Sequence, residues 1–184
     1  MEKKYEEYAY VIDYLPHGMP QTQRRGRTEA TVLLIGNKDF TLLEAKVKPG
    51  FAPKPQDLIY VGKESREEIT HITGRVGYEE LTAAAKEELN TAIRSIILSD
   101  EKRFVGFFNE AQAVTPRMSA LRILKGIGKK YMMQILKERE KKPFENFEDL
   151  QKRTQMPSPV LLLTKRIIVE LSDEDIKYRK FVRR

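Results

Sequence analysis

From position 8 the chain alternates apolar and polar residues with the two-residue period of β-strands. Tyr8–Leu15 is the first such run and Ala30–Ile35 the second. Gly36-Asn37-Lys38-Asp39 reads as a turn into the third, Phe40–Val47. A loop rich in Pro and Gly over 49–55 precedes Leu58–Val61, and Ile69–Val76 follows. Five short strands before residue 77 predict a small antiparallel barrel or half-barrel. An OB-like topology leads and an SH3-like barrel is the alternative, because strand count does not separate them.

After Tyr78 the period changes to that of helices. Thr82 is a cap for a helix running to Leu98, with Leu89, Ile93, Ile96 and Ile97 as its buried stripe. After Ser99-Asp100 a second helix runs to about Ala111, and the spacing of Phe104, Phe107 and Phe108 assigns them to the core. Beyond Pro116 come Leu121 and Leu124, three apart on one helical face, then Gly126-Ile127-Gly128, then a helix from Lys129 to about Glu140. Met132, Met133, Ile135 and Leu136 form the apolar side of that helix. Lys142-Pro143 ends it. Asn146 caps the next helix, whose first turn holds Glu148 and Asp149, where the helix dipole favours carboxylates. Ser158 is the N-cap of a last helix over Val160–Leu171, with Pro159 at the first helical position. The basic tail from Tyr178 to Arg184 is expected to be mobile.

The helix-turn-helix over 121–140 carries the clearest chemistry. Gly126 can adopt the positive φ that ends a helix, and Gly128 can do the same or open the next one. Ile127 between them is expected to be buried. The turn leaves a bare helix N-terminus whose amides point outward, so a phosphate can approach closely. Lys125, Lys129 and Lys130 surround it with positive charge. Leu-x-x-Leu-x-Gly-Ile-Gly-Lys-Lys resembles the helix-hairpin-helix motif, which binds the nucleic-acid backbone without reading sequence. Met132 departs from it, standing where the motif often has a small residue. The alternative is an αα-turn with glycine caps and solvated lysines. Thr154–Pro159 repeats the plan with Met156-Pro157-Ser158 in place of Gly-x-Gly, and reads as a degenerate second hairpin that keeps packing and has lost backbone binding. By the motif's resemblance, a monovalent cation is a candidate ligand of the first turn's carbonyls.

Charge sharpens this picture. The chain of 184 residues has a net charge of +7. Residues 117–184 hold 18 Lys and Arg against 9 Asp and Glu, a net +9, which leaves −2 for the rest. A polyanion-binding module shows such asymmetry, as does a merely basic soluble surface. A second candidate contact is the polar loop between the first two strands, where Arg24, Arg25 and Arg27 could pair bidentately with phosphates. A solvated surface insertion is the competing reading. Tyr10, Tyr60 and Phe40 are candidate stacking surfaces or, more simply, core.

Several stretches together carry a wider resemblance: Tyr8–Pro16, Phe40–Glu44, Tyr60–Lys63, Arg103–Gln112, Gly126–Lys130 and Lys142–Asp149. On these, the chain resembles an uncharacterised archaeal family that joins an OB-like N-terminal part to a C-terminal tandem helix-hairpin-helix part. The expected fold class is α+β: an OB-like β-barrel over 1–77, connecting helices over 78–116, and an all-α tandem helix-hairpin-helix domain over 117–184. The resemblance implies nucleic-acid binding and supplies no reaction.

The residues themselves offer little to an enzyme. Phosphodiester cleavage with metals gathers carboxylates around one or two ions, whereas Asp13, Asp39, Glu44 and Asp57 are scattered. His17 and His71 form no spaced ligand pair, and there is no phosphate-loop motif. With no Cys in the chain, disulfides and thiolate zinc sites are excluded. No catalytic residue and no metal ligand is assigned. Met1–Glu7 lacks the apolar run of a signal peptide, and no stretch approaches the ~20 apolar residues of a membrane span. The expectation is a cytoplasmic, non-enzymatic, monomeric protein that binds the backbone of RNA or DNA, with RNA slightly favoured. The alternatives are a nucleic-acid-processing enzyme or a subunit of one, and a protein-interaction scaffold on a larger ribonucleoprotein.

Overall fold

The computed structural model describes residues 5–20, 28–115 and 118–183. The chain is mixed α+β and divides into two compact units, Met1–Ala92 with Glu170–Arg184, and Ile93–Val169. The first holds a five-stranded sheet: β1 (Tyr8–Leu15), β2 (Thr31–Gly36), β3 (Leu42–Val47), β4 (Leu58–Tyr60) and β5 (Ile69–Arg75). Their order is β4-β1-β2-β3-β5, every neighbouring pair is antiparallel, and the sheet curls into a half-barrel. All five expected strands are present.

Alternation decides which side chains enter the half-barrel. Ala9 and Val11 of β1, Val32 and Leu34 of β2, Leu43, Ala45 and Val47 of β3, and Ile59 and Ile69 of the edge strands form one core. β2 is buried along its whole length, so its other face, Leu33 and Ile35, is also fully covered. A register shift between Val11 and Asp13 lets Ile12 be buried as completely as Val11. Phe40 is buried at 0% exposure with a φ of 56°, which assigns it to the core and ends its candidacy as a stacking surface.

Two buried carboxylates tie the termini of this unit to its frame. Glu6 accepts the backbone N–H groups of Lys38, Asp39 and Thr41 at 3.0, 3.0 and 3.1 Å. Gly36 must lack a side chain, because a Cβ there would lie 2.0 Å from the Glu6 carboxyl carbon. Glu170 likewise accepts the N–H groups of Lys180, Phe181 and Val182 at 3.0, 2.9 and 3.0 Å. Val182 is buried, the Arg183 N–H donates to the Asp39 carbonyl at 3.2 Å, and the Arg183 guanidinium pairs with the Asp39 carboxylate at 3.4 Å. The tail expected to be mobile is therefore held against the β2–β3 turn. Charge had marked it as free, but a buried acceptor for consecutive N–H groups outweighs that signal.

Five α-helices follow the sheet: α1 (Ala83–Ser99), α2 (Glu101–Glu110), α3 (Lys129–Lys141), α4 (Phe147–Thr154) and α5 (Pro159–Ser172). Thr82 caps α1 as expected, its Oγ1 accepting the Ala85 N–H at 3.0 Å. A short antiparallel pair, β6 (Ala113–Thr115) with β7 (Met118–Ser119), precedes a 3₁₀ turn over Ala120–Ile123. The second unit is locked by side chains that bond to backbone. Asn109 pairs with Phe144 in both directions, Nδ2 to the carbonyl at 2.9 Å and Oδ1 from the N–H at 2.8 Å. Arg139 donates to the carbonyls of Phe108 and Ala111 at 3.1 and 3.0 Å. Phe104, Phe107 and Phe108 are buried, as their spacing requires.

Candidate nucleic-acid interface

The turn before α3 is built from apolar residues inward and glycines outward. Leu121 and Leu124 are buried at 0% and Ile127 at 4% exposure, so three side chains pin the segment to the core. The stretch before the turn is one 3₁₀ turn, not the α-helix expected from the Leu121–Leu124 spacing. Ser119 starts it by accepting the Leu121 N–H at 3.2 Å, and the Ile127 N–H closes it on the Leu124 carbonyl at 3.0 Å. A three-residue spacing is shared by both helix types, which is why sequence did not separate them.

The two glycines have different reasons to be glycine. Gly126 has a φ of +115°, and a Cβ there would meet Leu162 of α5 at 3.0 Å. Both backbone and packing demand it. Gly128 has a φ of −83° and a ψ of −175°, an extended conformation open to any residue. A Cβ there meets nothing within 4 Å among the described residues. Neither strain nor internal packing explains its bareness.

Gly128 is the N-cap of α3, and its carbonyl accepts the first intrahelical bond, from the Met132 N–H at 3.0 Å. No side chain caps this end and no acidic residue lies in its first turn. The first-turn amides thus face outward under the positive end of the dipole. Lys125, Lys129 and Lys130 are all exposed and form no ion pair among the described residues. Lys130 only approaches the Tyr131 ring, at 6.0 Å. The Arg166 guanidinium donates to the Ile123 carbonyl at 3.3 Å, bringing a further cation to the segment that leads into the turn. Sequence reasoning passed over Leu162 and Arg166. Their four-residue spacing places them on one face of α5, but nothing local says which turn that face meets.

The opposite end of α3 is electrically different. Glu138 bonds Lys141 at 2.6 Å and lies 3.6 Å from Arg153, and Asp149 pairs with Arg153 at 3.1 Å. The Lys141 hydrogen bond, followed by the charges of Lys141 and Arg153, holds Glu138 below the usual carboxylate range. The Glu145 N–H, seconded by Arg153, does the same for Asp149. A hydrogen bond to Glu145 raises Lys142. Carboxylates therefore neutralise cations at the C-terminal end and leave the N-terminal lysines unpaired. Along α3 itself, Ile135 is buried and Met132 and Leu136 are half-buried, but Met133 is 54% exposed and does not belong to the apolar face assigned from the pattern.

The other candidates separate. Arg24, Arg25 and Arg27 lie outside the described residues. Tyr10 and Tyr60 are half-buried, and the Tyr60 hydroxyl accepts the Glu64 N–H at 3.2 Å. Asp13 bonds the Thr82 hydroxyl at 2.5 Å, Asp57 the Lys54 N–H at 2.8 Å, and Asp39 pairs with Arg183. Among the described residues no group of three or more His, Asp or Glu side chains could hold a metal, and no helix is long and apolar enough to cross a membrane.

Comparison with known proteins agrees with this architecture. A family model described as a protein of unknown function, DUF655, matches residues 5–183. An uncharacterised protein of Methanocaldococcus jannaschii is 40% identical over 182 residues, 98% of this chain and 82% of that protein. A crystal structure from Archaeoglobus fulgidus, assigned to the same family, superposes with a TM-score of 0.90 at 42% identity, covering 97% of this chain and 100% of that one. The chain belongs to the DUF655 family.

Proposed function

We propose that the protein is a non-enzymatic nucleic-acid-binding protein that grips the phosphate backbone with little sequence preference. The observation that carries this reading is the N-terminus of α3: uncapped, free of carboxylates, covered by a glycine that neither strain nor packing requires, and ringed by unpaired lysines. Anions bind such ends through the amides and the dipole. In this reading the segment 121–141 is a helix-hairpin-helix whose first helix has shortened to one 3₁₀ turn, and 147–172 is its degenerate partner. The unit Ile93–Val169 contains 16 Lys and Arg against 8 Asp and Glu, a net +8, which suits a polyanion and leaves −1 for the sheet unit. The sheet order β4-β1-β2-β3-β5 supports an OB-like reading of the half-barrel, a surface on which single strands bind, and this gives RNA a slight preference over DNA.

Backbone contacts position a protein without carrying sequence information, so binding is expected to be sequence-tolerant and salt-dependent. Each neutralised phosphate adds a slope of roughly −0.9 on duplex DNA or −0.7 on single strands in log K against log salt. A salt titration by fluorescence anisotropy on duplex DNA, single strands and hairpin RNA tests this. Replacing Lys129 and Lys130 with Ala should reduce the slope by about one unit per lost contact, uniformly across sequences. A flat salt response in the parent would replace this reading with that of a protein-interaction scaffold.

A further inference from the structure

The sheet unit contains a cavity of about 440 Å³ between its two edge strands, within the range of small-ligand sites. Leu43, Val61 and Ile72 supply apolar surface, and the Tyr5 ring stands beside them, 55% exposed, with the Lys63 ammonium 4.8 Å from its centroid. Two guanidinium groups join Lys63 at the wall. Arg66 is fixed by its Nε, which donates to the Gly62 carbonyl at 2.8 Å, so its remaining N–H groups are free to point elsewhere. Arg75, at the end of β5, is exposed and has no partner among the described residues. The carboxylate lining the cavity, Glu6, is already engaged by three backbone N–H groups.

We propose that this cavity binds a nucleotide, the base against Tyr5 and the apolar surface and the phosphate between Arg66, Arg75 and Lys63. An apolar floor alone would take any greasy ligand, and three cations alone would take any anion. The two together select a ligand that is flat and apolar at one end and multiply charged at the other. Guanidinium groups match phosphate oxygens bidentately, and a base stacks on a tyrosine face whatever its identity. The site goes beyond the lysine-rich turn and does not depend on it.

Calorimetric titration of the full chain with AMP, adenosine and inorganic phosphate tests the proposal. AMP should bind at least about tenfold more tightly than either fragment. Arg75→Gln should weaken AMP about tenfold and leave adenosine unchanged, and Tyr5→Ala should weaken AMP and adenosine but not phosphate. Both side chains are exposed, and a thermal melt confirms that each variant is folded. The Lys129→Ala, Lys130→Ala variant should bind AMP as the parent does, so loss of backbone binding at the turn and loss of this site are read separately. In the Lys129→Ala, Lys130→Ala background, a 5′-phosphorylated oligoadenylate that binds more tightly than AMP, with the gain abolished by Arg75→Gln, identifies the ligand as a strand end, and equal affinity identifies it as a free nucleotide. AMP binding no tighter than phosphate, or unaffected by Arg75→Gln in a folded protein, overturns the proposal.

Discussion

The two turns of the helical unit share one plan and end in opposite chemistry. Both lead a short helical segment through a buried residue, Ile127 or Met156, into a longer helix. At the second, Gln155 takes the left-handed conformation with a φ of 56°, and Ser158 caps α5 by accepting the Leu161 N–H at 3.3 Å. Pro157 and Pro159 have no N–H to offer. Of the donors that this helix start would leave free, Pro159 removes one and Ser158 satisfies another. At the first, Gly126 takes the left-handed conformation, and Gly128 caps nothing. The start of α4 resembles the second turn: Asn146 accepts the Asp149 N–H at 2.8 Å, with Glu148 and Asp149 in its first turn. α1, α4 and α5 each start on a side-chain cap, and α2, which has none, carries Glu101 in its first turn; α3 has neither. With Gly rather than Ser, Asn or Asp at its N-cap, α3 forgoes roughly a few tenths of a kcal/mol, and a helix end that binds an outside anion accounts for tolerating that loss.

The contrast within the first turn is the easiest to break. Gly126→Val forces a β-branched residue to a φ of +115° and drives it into Leu162. Strain and overpacking together should destabilise the protein by about 3 kcal/mol in urea unfolding. A loss under about 0.5 kcal/mol would mean that the turn relaxes freely and that its geometry is not specified. The second turn should respond less. Ser158→Ala removes one cap and should lower stability by about 1 kcal/mol while leaving the dissociation constant for nucleic acid unchanged. A large affinity loss in that folded variant would show that both turns meet the ligand.

The smallest effect concerns the paired end of α3. Glu138 and Asp149 are both held below their ordinary values of 4.5 and 3.8 by Lys141, Arg153 and the Glu145 N–H. Because the folded-state values are depressed, the stability they contribute is present above the ordinary values. It is lost as the pH falls through the depressed ones. Melting temperature followed from pH 6 down to about pH 2.5 should fall, and the fall should be shallower in Asp149→Asn. Identical profiles would show that these exposed pairs contribute nothing measurable.

Most of the helical and strand framework was legible because it rests on local periodicity. The caps at Thr82, Asn146 and Ser158 and the burial of Ile127 follow from residue type and position alone. What escaped was non-local. The chain cannot show that Glu170 captures the tail, because its partners are backbone amides, which every residue carries. Tyr5, which lines the cavity, lies just before the strand pattern begins, whereas Phe40, which looked available, is fully buried. The bare helix start was visible as Gly-Ile-Gly-Lys-Lys. That Gly126 serves the fold and Gly128 does not could be learned only from the backbone angles and from Leu162.

The central claim is that Gly128 is kept bare for an incoming phosphate, and Gly128→Asp tests it most directly. An aspartate suits the extended N-cap geometry and the helix dipole, so it should raise the stability of the fold by a few tenths of a kcal/mol or more. Its carboxylate would also occupy the place of the phosphate. Melting temperature and anisotropy on the same sample, with a hairpin RNA and a DNA duplex, give both readings. The account predicts a protein at least as stable as the parent that binds about tenfold or more weakly. A Gly128→Asp protein that is folded, stabilised and binds as the parent does would contradict it.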